Sequence, residues 1–310
     1  MNRLILLLML LPLQIQAQTI LGIDVSHHQG NINWTLVAND GKVFAFVKAT
    51  EGFTYDDPNF STYMTNGINA GMIMGAYHFA RPDNNSATDE ANHFVSIAGN
   101  YIGDGFLPPV LDLEDPNANT HLDQLYTASG LTNWVQTWMN RVETLTGVRP
   151  IIYLNSNYAN FLQSSLNSYG LWIAKPGTSP TSPPNDIGNW NDWLFKQYSW
   201  QGSVNGISGN VDLDSFHGSS TDFNNLIAGL TTVDKKRFKL YPNPVENYLF
   251  IDKLFGDMIQ QIRLYDVNGR LIKIYKTENK IDIKDLNTGL YWLTIDTQSG
   301  NSFTYKITKS

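Results

Sequence analysis

Two acidic residues at the end of an apolar run are the strongest candidates for chemistry in this sequence. The segment LPPVLDLEDP, residues 107–116, reads as a strand that ends in Asp112 and Glu114 and is stopped by a proline. Because side chains alternate along a strand, both carboxyl groups point to one side, with Cα atoms roughly 6.6 Å apart. Two acids that close cannot both ionise freely, so one should stay protonated near neutral pH. A proton donor beside a carboxylate is the pair used in glycosidic bond cleavage; the alternative is two solvated acids at a strand end.

The acid pair belongs to one of eight strand-like runs that must position it. Several runs are continuously apolar, as in a parallel sheet that is covered on both faces. Four amphipathic helices are predicted among the first intervals, while Pro, Gly, Ser and Asn fill the links between the last three strands. This order predicts an α/β fold, an irregular TIM-like (β/α) barrel whose last strands lack helices. The predicted strands are Thr19–Ser26, Val43–Ala49, Met72–Phe79, Leu107–Glu114, Pro150–Asn155, Leu171–Lys175, Trp193–Ser199 and Val211–Phe216. The predicted helices are Asn59–Asn69, Ala87–Tyr101, Leu131–Leu145 and Ser156–Leu166.

Polar side chains close every one of the eight predicted strands. In a β/α barrel the chemistry lies at the carboxyl ends of the strands, so these residues should meet at one mouth. A polar residue at each strand end therefore predicts a single acidic, aromatic-lined site. In strand order these residues are Asp24, Lys48 and Glu51, Tyr77 and His78, Asp112 and Glu114, Tyr153 and Asn155, Lys175, Gln197 and Tyr198, and Asp212 and Asp214.

Seven ordered motifs between residues 20 and 216 resemble family 25 of the glycoside hydrolases, the bacterial and fungal muramidases. They are GIDVSHHQG (22–30), FVKATEG (46–52), GAYHF (75–79), DLE (112–114), WIA (172–174), QYS (197–199) and VDLD (211–214). The family fold is a β/α barrel whose last strands lack helices, in agreement with the strand pattern. The resemblance implies hydrolysis of the β-1,4 bond between N-acetylmuramic acid and N-acetylglucosamine in peptidoglycan.

The resemblance also implies roles for four acids. Glu114 is similar to the general acid of the family. Asp112 resembles the second catalytic carboxylate, which either stabilises positive charge at the anomeric carbon or orients the 2-acetamido group of the substrate. Asp24 and Asp212 resemble two further acids of the site, although Asp24 could instead hold a strand end and Asp212 or Asp214 could be a turn acid. The resemblance favours net retention of configuration and leaves the nucleophile open, because the substrate's acetamido group could also serve.

The remaining strand-end residues are candidates for substrate binding. Four aromatic side chains could face pyranose rings, although aromatic residues near strand ends are as often core. His27 and His28 lie close to Asp24, but nothing completes a set of metal ligands, so hydrogen bonding in the loop or to sugar is favoured. We therefore expect no metal and no cofactor. The candidate binding residues are Tyr77, Tyr153, Trp172, Lys175, Gln197, Tyr198 and Asp214.

Composition and charge limit the partners and the destination of the chain. Residues 1–233 contain 8 Lys and Arg against 19 Asp and Glu, which argues against nucleic acid as a partner. Residues 234–310 contain 13 against 9, so the charge changes sign near a domain boundary.

Residues 1–17 have one arginine, a short apolar core and Ala17 at the end, as in a secretory signal peptide. The apolar run is too short for a membrane anchor, and an exported protein without cysteines must depend on its core.

The last seventy residues read as short alternating strands. Asn268-Gly269 lies between two of them and is a strong hairpin signal. About seven short strands in so few residues predict a small all-β sandwich. The predicted runs include Tyr248–Asp252, Gln261–Tyr265, Arg270–Tyr275, Lys280–Ile283, Gly289–Asp296 and Ser302–Ile307.

This tail resembles the C-terminal sorting domain of the type IX secretion system. The motifs that carry the resemblance are YPNP (241–244), DVNGR (266–270) and LNTGLY (286–291). The competing interpretation is a wall-binding module, since β-sandwiches often bind sugars and the tail is basic. We expect a signal peptide at 1–17, a barrel at 18–233 and a sorting sandwich at 234–310. The expected protein is a monomer that reaches the periplasm, leaves by type IX export and acts on peptidoglycan glycan strands.

Overall fold

The computed structural model describes residues 19–228, 238–253, 259–276, 278–297 and 302–310. The expected signal peptide and the expected boundary between barrel and tail lie outside these residues. Within the described residues, no helix has both the length and the apolar character needed to cross a membrane.

Nine strands of residues 19–228 form one sheet, and eight of them close into a barrel. They are β1 (Leu21–Val25), β2 (Lys42–Glu51), β3 (Tyr55–Asp56), β4 (Ile73–Phe79), β5 (Val110–Asp112), β6 (Ile151–Leu154), β7 (Leu171–Ala174), β8 (Phe195–Gly202) and β9 (Val211–Phe216). The barrel closes because β1 pairs with both β2 and β9, while the short β3 only extends the sheet beside β2. All eight strands expected from the sequence are present, so the predicted barrel is confirmed.

Seven helices accompany these strands in the described part of the chain. They are α1 (Trp34–Asn39), α2 (Phe60–Asn69), α3 (Ala87–Ala98), α4 (Leu122–Leu125), α5 (Ala128–Thr146), α6 (Ser156–Phe161) and α7 (Ser220–Ile227). The four predicted helices correspond to α2, α3, α5 and α6. The sequence analysis missed α1, α4 and α7, which have four to eight residues, because so few turns give little periodicity. Between β7, β8 and β9 the described chain has no helix, as expected.

The last barrel strand runs in the opposite direction from the other seven. β9 is antiparallel to both β1 and β8, whereas the remaining neighbours in the barrel are parallel. The expectation of an all-parallel sheet is therefore wrong at this strand. A parallel crossover needs a dozen or more residues, and only residues 203–210 connect β8 to β9, so the chain makes a hairpin-type return.

Large aromatic side chains fill the inside of the barrel beneath the mouth. Phe46 stacks on Trp172 with ring centroids 4.5 Å apart, and its edge meets Phe195 at 5.1 Å. Phe44 and Phe216 pack against Phe195 from below and beside it. These rings belong to an inner cluster that is separate from the larger core between the strands and the helices. The inner cluster is therefore a packed floor for whatever lies at the strand ends.

The tail is all β, as expected. Its strands are β10 (Phe238–Tyr241), β11 (Tyr248–Lys253), β12 (Ile259–Tyr265), β13 (Leu271–Tyr275), β14 (Lys280–Asp282), β15 (Gly289–Thr297) and β16 (Ser302–Lys309). They form one sheet of three strands and one of four, with a shared core that includes Leu249, Ile262 and Leu293. Gly269 has φ +79° in the turn between β12 and β13, where the Asn-Gly signal lies.

Candidate active site

A cavity of about 340 Å³ opens where the parallel strands end. We call it the central cavity. All four acids that the resemblance singled out line it, and so do four of the seven predicted binding residues. Its lining therefore brings together side chains from strands distributed around the whole barrel. Among the predicted residues, the lining includes Asp24, Asp112, Glu114, Asp212, Tyr77, Tyr153, Trp172 and Gln197.

Gln197 joins two acids that lie on neighbouring strands of the mouth. Its amide nitrogen donates to Oδ2 of Asp24 at 2.8 Å and to Oδ2 of Asp212 at 3.1 Å. Its amide oxygen accepts from the hydroxyl of Tyr153 at 2.8 Å and from Nε1 of Trp200 at 2.7 Å. Two donors on one side and two carboxylates on the other determine the orientation of the amide. Gln197 was predicted to bind substrate, and the structure places it as a support that holds two acids.

Glu114 is the acid best suited to donate a proton near neutral pH. Burial raises the pKa of its carboxyl group from 4.5 to about 7, with smaller upward contributions from Asp212 and Asp115. The positive charge of Lys48 acts in the opposite direction. From the sequence, the neighbouring Asp112 was expected to raise this pKa, but the largest cause is desolvation, and the charges that add to it are those of Asp212 and Asp115. Depth of burial depends on the closed barrel and cannot be deduced from an Asp-x-Glu spacing.

Asp112 is more deeply buried than its partner. Its residue exposure is 8%, and burial followed by the charge of Glu114 raises its pKa well above the usual range. Oδ1 of Asp112 is buried and makes no hydrogen bond within the described chain. A buried carboxyl oxygen without a hydrogen-bond donor favours the protonated form, because nothing stabilises the charge of the ionised group there.

The other two acids of the mouth also hold protons more tightly than free carboxyl groups. Burial, then the charges of Asp214 and Asp212, raises the pKa of Asp24 well above its usual range. Burial raises the pKa of Asp212 to about 6. The two residues are direct register partners on β1 and β9, which explains why one amide reaches both.

Three of the predicted binding residues do not line the central cavity. Asp214 is fully buried below it and accepts a hydrogen bond from Nε1 of Trp172 at 2.9 Å. Lys175 instead donates to the hydroxyl of Ser156. Tyr198 lies where the register between β8 and β9 shifts, between Gln197 and Ser199, and it is not among the residues that line the cavity. All three residues follow a strand-end motif, and such a motif does not by itself determine the direction of a side chain.

Several lining residues were absent from the predicted site. Lys48 is 9% exposed, and its Nζ lies 2.7 Å from Oε2 of Glu51 and 4.6 Å from the ring centroid of Phe79. Trp200 is 55% exposed at the end of β8 and contacts Gln197. The sequence did offer an indication of this residue, because a tryptophan between Ser199 and Gln201 at a strand end is not expected to be a core residue. Lys48 was predicted at the mouth as a strand-end residue but was given no catalytic or binding role.

The two histidines after β1 are engaged within their loop. Nδ1 of His27 lies 2.8 Å from Oδ2 of Asp57, whose side chain is fully buried, and its ring is 4.1 Å from that of His28. His27 is therefore held by a residue that follows β3, outside its own loop, and not by a metal ligand set. In the described residues, no group of three or more His, Asp or Glu side chains is arranged to hold a metal ion.

Comparison with known proteins associates both parts of the chain with families. The model of a family described as glycosyl hydrolases family 25 matches residues 23–207, and that of a secretion system C-terminal sorting domain matches residues 239–310. Lysozyme M1 of Streptomyces globisporus is 40% identical over 204 residues, which cover 64% of this chain and 68% of the relative. The N,O-diacetylmuramidase of Chalaropsis sp is 30% identical over 207 residues, covering 63% and 96%. A solved bacterial lysozyme from Streptomyces coelicolor superposes with a TM-score of 0.63 and 36% identity, covering 69% of this chain and 99% of its own.

The effect of Lys48 on the acid pair can be measured directly. Because its charge favours the ionised form of Glu114, we expect Lys48→Met to raise the pKa of Glu114 above about 7. Carbon-13 NMR titration of labelled glutamate side chains gives this value. The matched control is Lys42→Met, which removes an ammonium group that pairs with Asp40 at 3.0 Å and does not line the cavity. A lower or unchanged Glu114 pKa in Lys48→Met would contradict the assigned electrostatics.

Burial of Glu114 should also reduce stability at alkaline pH. Its pKa is raised on folding, so the folded state binds more protons, and stability falls as pH rises from about 4.5 to about 7. We expect Glu114→Gln to leave the free energy of unfolding unchanged at pH 4 and to increase it by about 1 to 3 kcal/mol at pH 8. Urea unfolding followed by tryptophan fluorescence measures both. Glu143→Gln, at an exposed site on α5, should show no such pH-dependent gain.

Proposed function

The chain belongs to family 25 of the glycosyl hydrolases, and we propose that its barrel cleaves the β-1,4 bond between N-acetylmuramic acid and N-acetylglucosamine as a secreted lysozyme. The observation that carries this function is the set of four acids in one cavity, of which Glu114 has a pKa of about 7. An acid with that pKa is largely protonated at mildly acidic to neutral pH and can still lose its proton during turnover.

In the proposed reaction Glu114 protonates the oxygen of the bond that breaks. The bond between the anomeric carbon and that oxygen then cleaves, its electron pair stays with the leaving oxygen, and positive charge develops on the sugar. The anionic Glu114 left behind accepts a proton from the incoming water. The acid and base steps therefore use the same carboxyl group in its two protonation states.

Asp112 is the proposed partner at the anomeric carbon. Either its carboxylate forms the bond that replaces the glycosidic oxygen, or it orients the 2-acetamido group, whose carbonyl oxygen then forms that bond. Asp112 lines the central cavity, which either role requires. Asp24 and Asp212, held together by Gln197, complete the ring of carboxyl groups around the sugar. Both routes proceed through two displacements and give net retention.

The tail directs the protein out of the cell. It is a secretion sorting domain of the kind that serves type IX export, and it indicates a destination at the cell surface or in the medium. For the earlier steps we propose a signal peptide at residues 1–17 and passage through the periplasm. We further propose a barrel at 18–233, a sorting domain at 234–310 and action as a monomer.

The role of Glu114 can be tested on purified peptidoglycan. We expect the full chain to release new reducing ends of muramic acid and Glu114→Gln to do so about 10²- to 10⁴-fold more slowly, because the leaving oxygen then lacks its acid. Mass spectrometry of the products identifies the cleaved bond. Glu143→Gln, which removes a carboxylate that pairs with Arg149 outside the cavity, is the matched control.

Two results of that assay would contradict the proposal. Release of N-acetylglucosamine reducing ends would identify a different glycosidase. Binding of peptidoglycan without any release, by wild type and variant alike, would leave a wall-binding barrel instead of an enzyme.

Retention of configuration is a separate expectation. The first product formed from a β-linked chain should carry a β-configured reducing end, which proton NMR detects before the anomers interconvert. An initial α-anomer would show inversion, and would require one carboxylate to activate water directly.

A further inference from the structure

A second cavity of about 500 Å³ adjoins the central cavity. The two share His28 and Lys48 in their linings, so together they form one continuous groove across the mouth. The second cavity lies against the turn between β2 and β3, residues 51–55, and we call it the hairpin cavity. Nothing in the reaction described above uses it.

The turn beside this cavity is held firmly in place. The amide of Gly52 donates to the carbonyl of Phe79 at 3.1 Å, and Nδ1 of His93 lies 3.1 Å from the carbonyl of Gly52. Nε2 of the same histidine lies 2.7 Å from Oδ1 of Asp56. Gly52 has φ +54°, and a Cβ there would come within 2.9 Å of Asn85. A turn with this many contacts presents its side chains in one arrangement.

The rigid turn exposes two aromatic rings into the groove. Phe53 is 53% exposed and Tyr55 is 37% exposed. The hydroxyl of Tyr55 lies 3.1 Å from Nδ1 of His27, another residue that lines the hairpin cavity, and this contact helps to fix the ring. Apolar side chains exposed on a concave, rigid surface are typical of binding sites, and an aromatic face packs well against the C–H face of a pyranose ring.

Charge in the hairpin cavity favours a neutral ligand over an anionic one. Lys48 pairs with Glu51, and Arg81 pairs with Glu51 at 3.1 Å and with Asp83 through two hydrogen bonds of 3.0 Å. The two cations are therefore already neutralised by two carboxylates. A stem peptide, or the lactyl group of muramic acid without its peptide, brings free carboxylates, which would have to compete with these pairs. N-acetylglucosamine brings only hydroxyl and amide groups. Exposed Asn84 offers an amide group to such partners.

We propose that the hairpin cavity is an accessory glycan subsite, which holds an N-acetylglucosamine of the chain beyond the two sugars that flank the cleaved bond, against Phe53 and Tyr55. This inference rests on the proposed function, because it takes the glycan that the central cavity cleaves. The subsite makes affinity increase with chain length and keeps a long strand bound across the mouth.

Binding measurements test the subsite without depending on cleavage. In the full chain with Glu114→Gln, calorimetry gives dissociation constants for peptide-free peptidoglycan strands of four and eight sugars. We expect Phe53→Ala to weaken binding of the eight-sugar strand about tenfold more than binding of the four-sugar strand. Phe53→Trp should restore the preference for length, since it keeps an aromatic face. The matched control is Leu125→Ala, an apolar side chain that is 58% exposed and lines neither cavity.

Two outcomes would overturn the subsite. One is an equal effect, or no effect, of Phe53→Ala on the two strand lengths. The other is a length-dependent effect that appears only when the strands carry stem peptides, which would assign the cavity to the peptide. A parallel cleavage assay of the wild type separates this test from the proposed function. If the wild type does not cleave but binding still depends on chain length, the proposed enzyme is refuted and the subsite stands. If the wild type cleaves but binding does not depend on chain length, only the subsite is refuted.

Discussion

The crowding of carboxyl groups inside one barrel mouth is the constraint on which the rest of this structure depends. Asp24, Asp112, Glu114, Asp212 and Asp214 are all largely removed from water, and burial raises the pKa of each. Ionising all five together would cost far more than a small domain can offset. The site therefore retains protons. Between Asp24 and Asp212 the hydrogen-bond donor is the neutral amide of Gln197, and a cation in its place would favour ionisation of both acids. That retained proton is the one a glycosidase must deliver.

The reversed last strand completes this mouth. Because β9 runs antiparallel to β1, its first residues reach the end of the barrel where the parallel strands finish, and Asp212 faces Asp24. A parallel β9 would carry residues 211–214 to the opposite end. Two residues further along the strand, Asp214 lies one layer deeper and accepts from Trp172, whose ring also stacks on Phe46. The aromatic floor and the acid layer are thus connected by a hydrogen bond, so packing below the site orients the acids above it.

Much of this arrangement could be predicted from the sequence, because it follows from strand periodicity. Alternation placed Asp112 and Glu114 on one side of a strand, and the polar strand ends identified the mouth. The predictions that failed depend on three-dimensional information that a sequence pattern does not contain. Tyr198 and Lys175 follow the same strand-end rule but do not line the cavity, because the rule specifies height along the barrel and not the direction of a side chain. Lys175 donates instead to Ser156 at the start of α6. The raised pKa of Glu114 comes from burial, which only the closed barrel determines. Trp200, which is largely exposed, has no periodic pattern to reveal it.

Lys48 connects the acid pair to the outer part of the groove. Its charge lowers the pKa of Asp112 and Glu114, and its position depends on Glu51, which Arg81 also holds. Glu51 begins the turn that carries Phe53 and Tyr55, so one chain of ion pairs supports both the electrostatics of the acids and the aromatic rings. A ligand that covers this turn would exclude water from the Lys48–Glu51 pair and strengthen it, because charge interactions grow as the local dielectric falls.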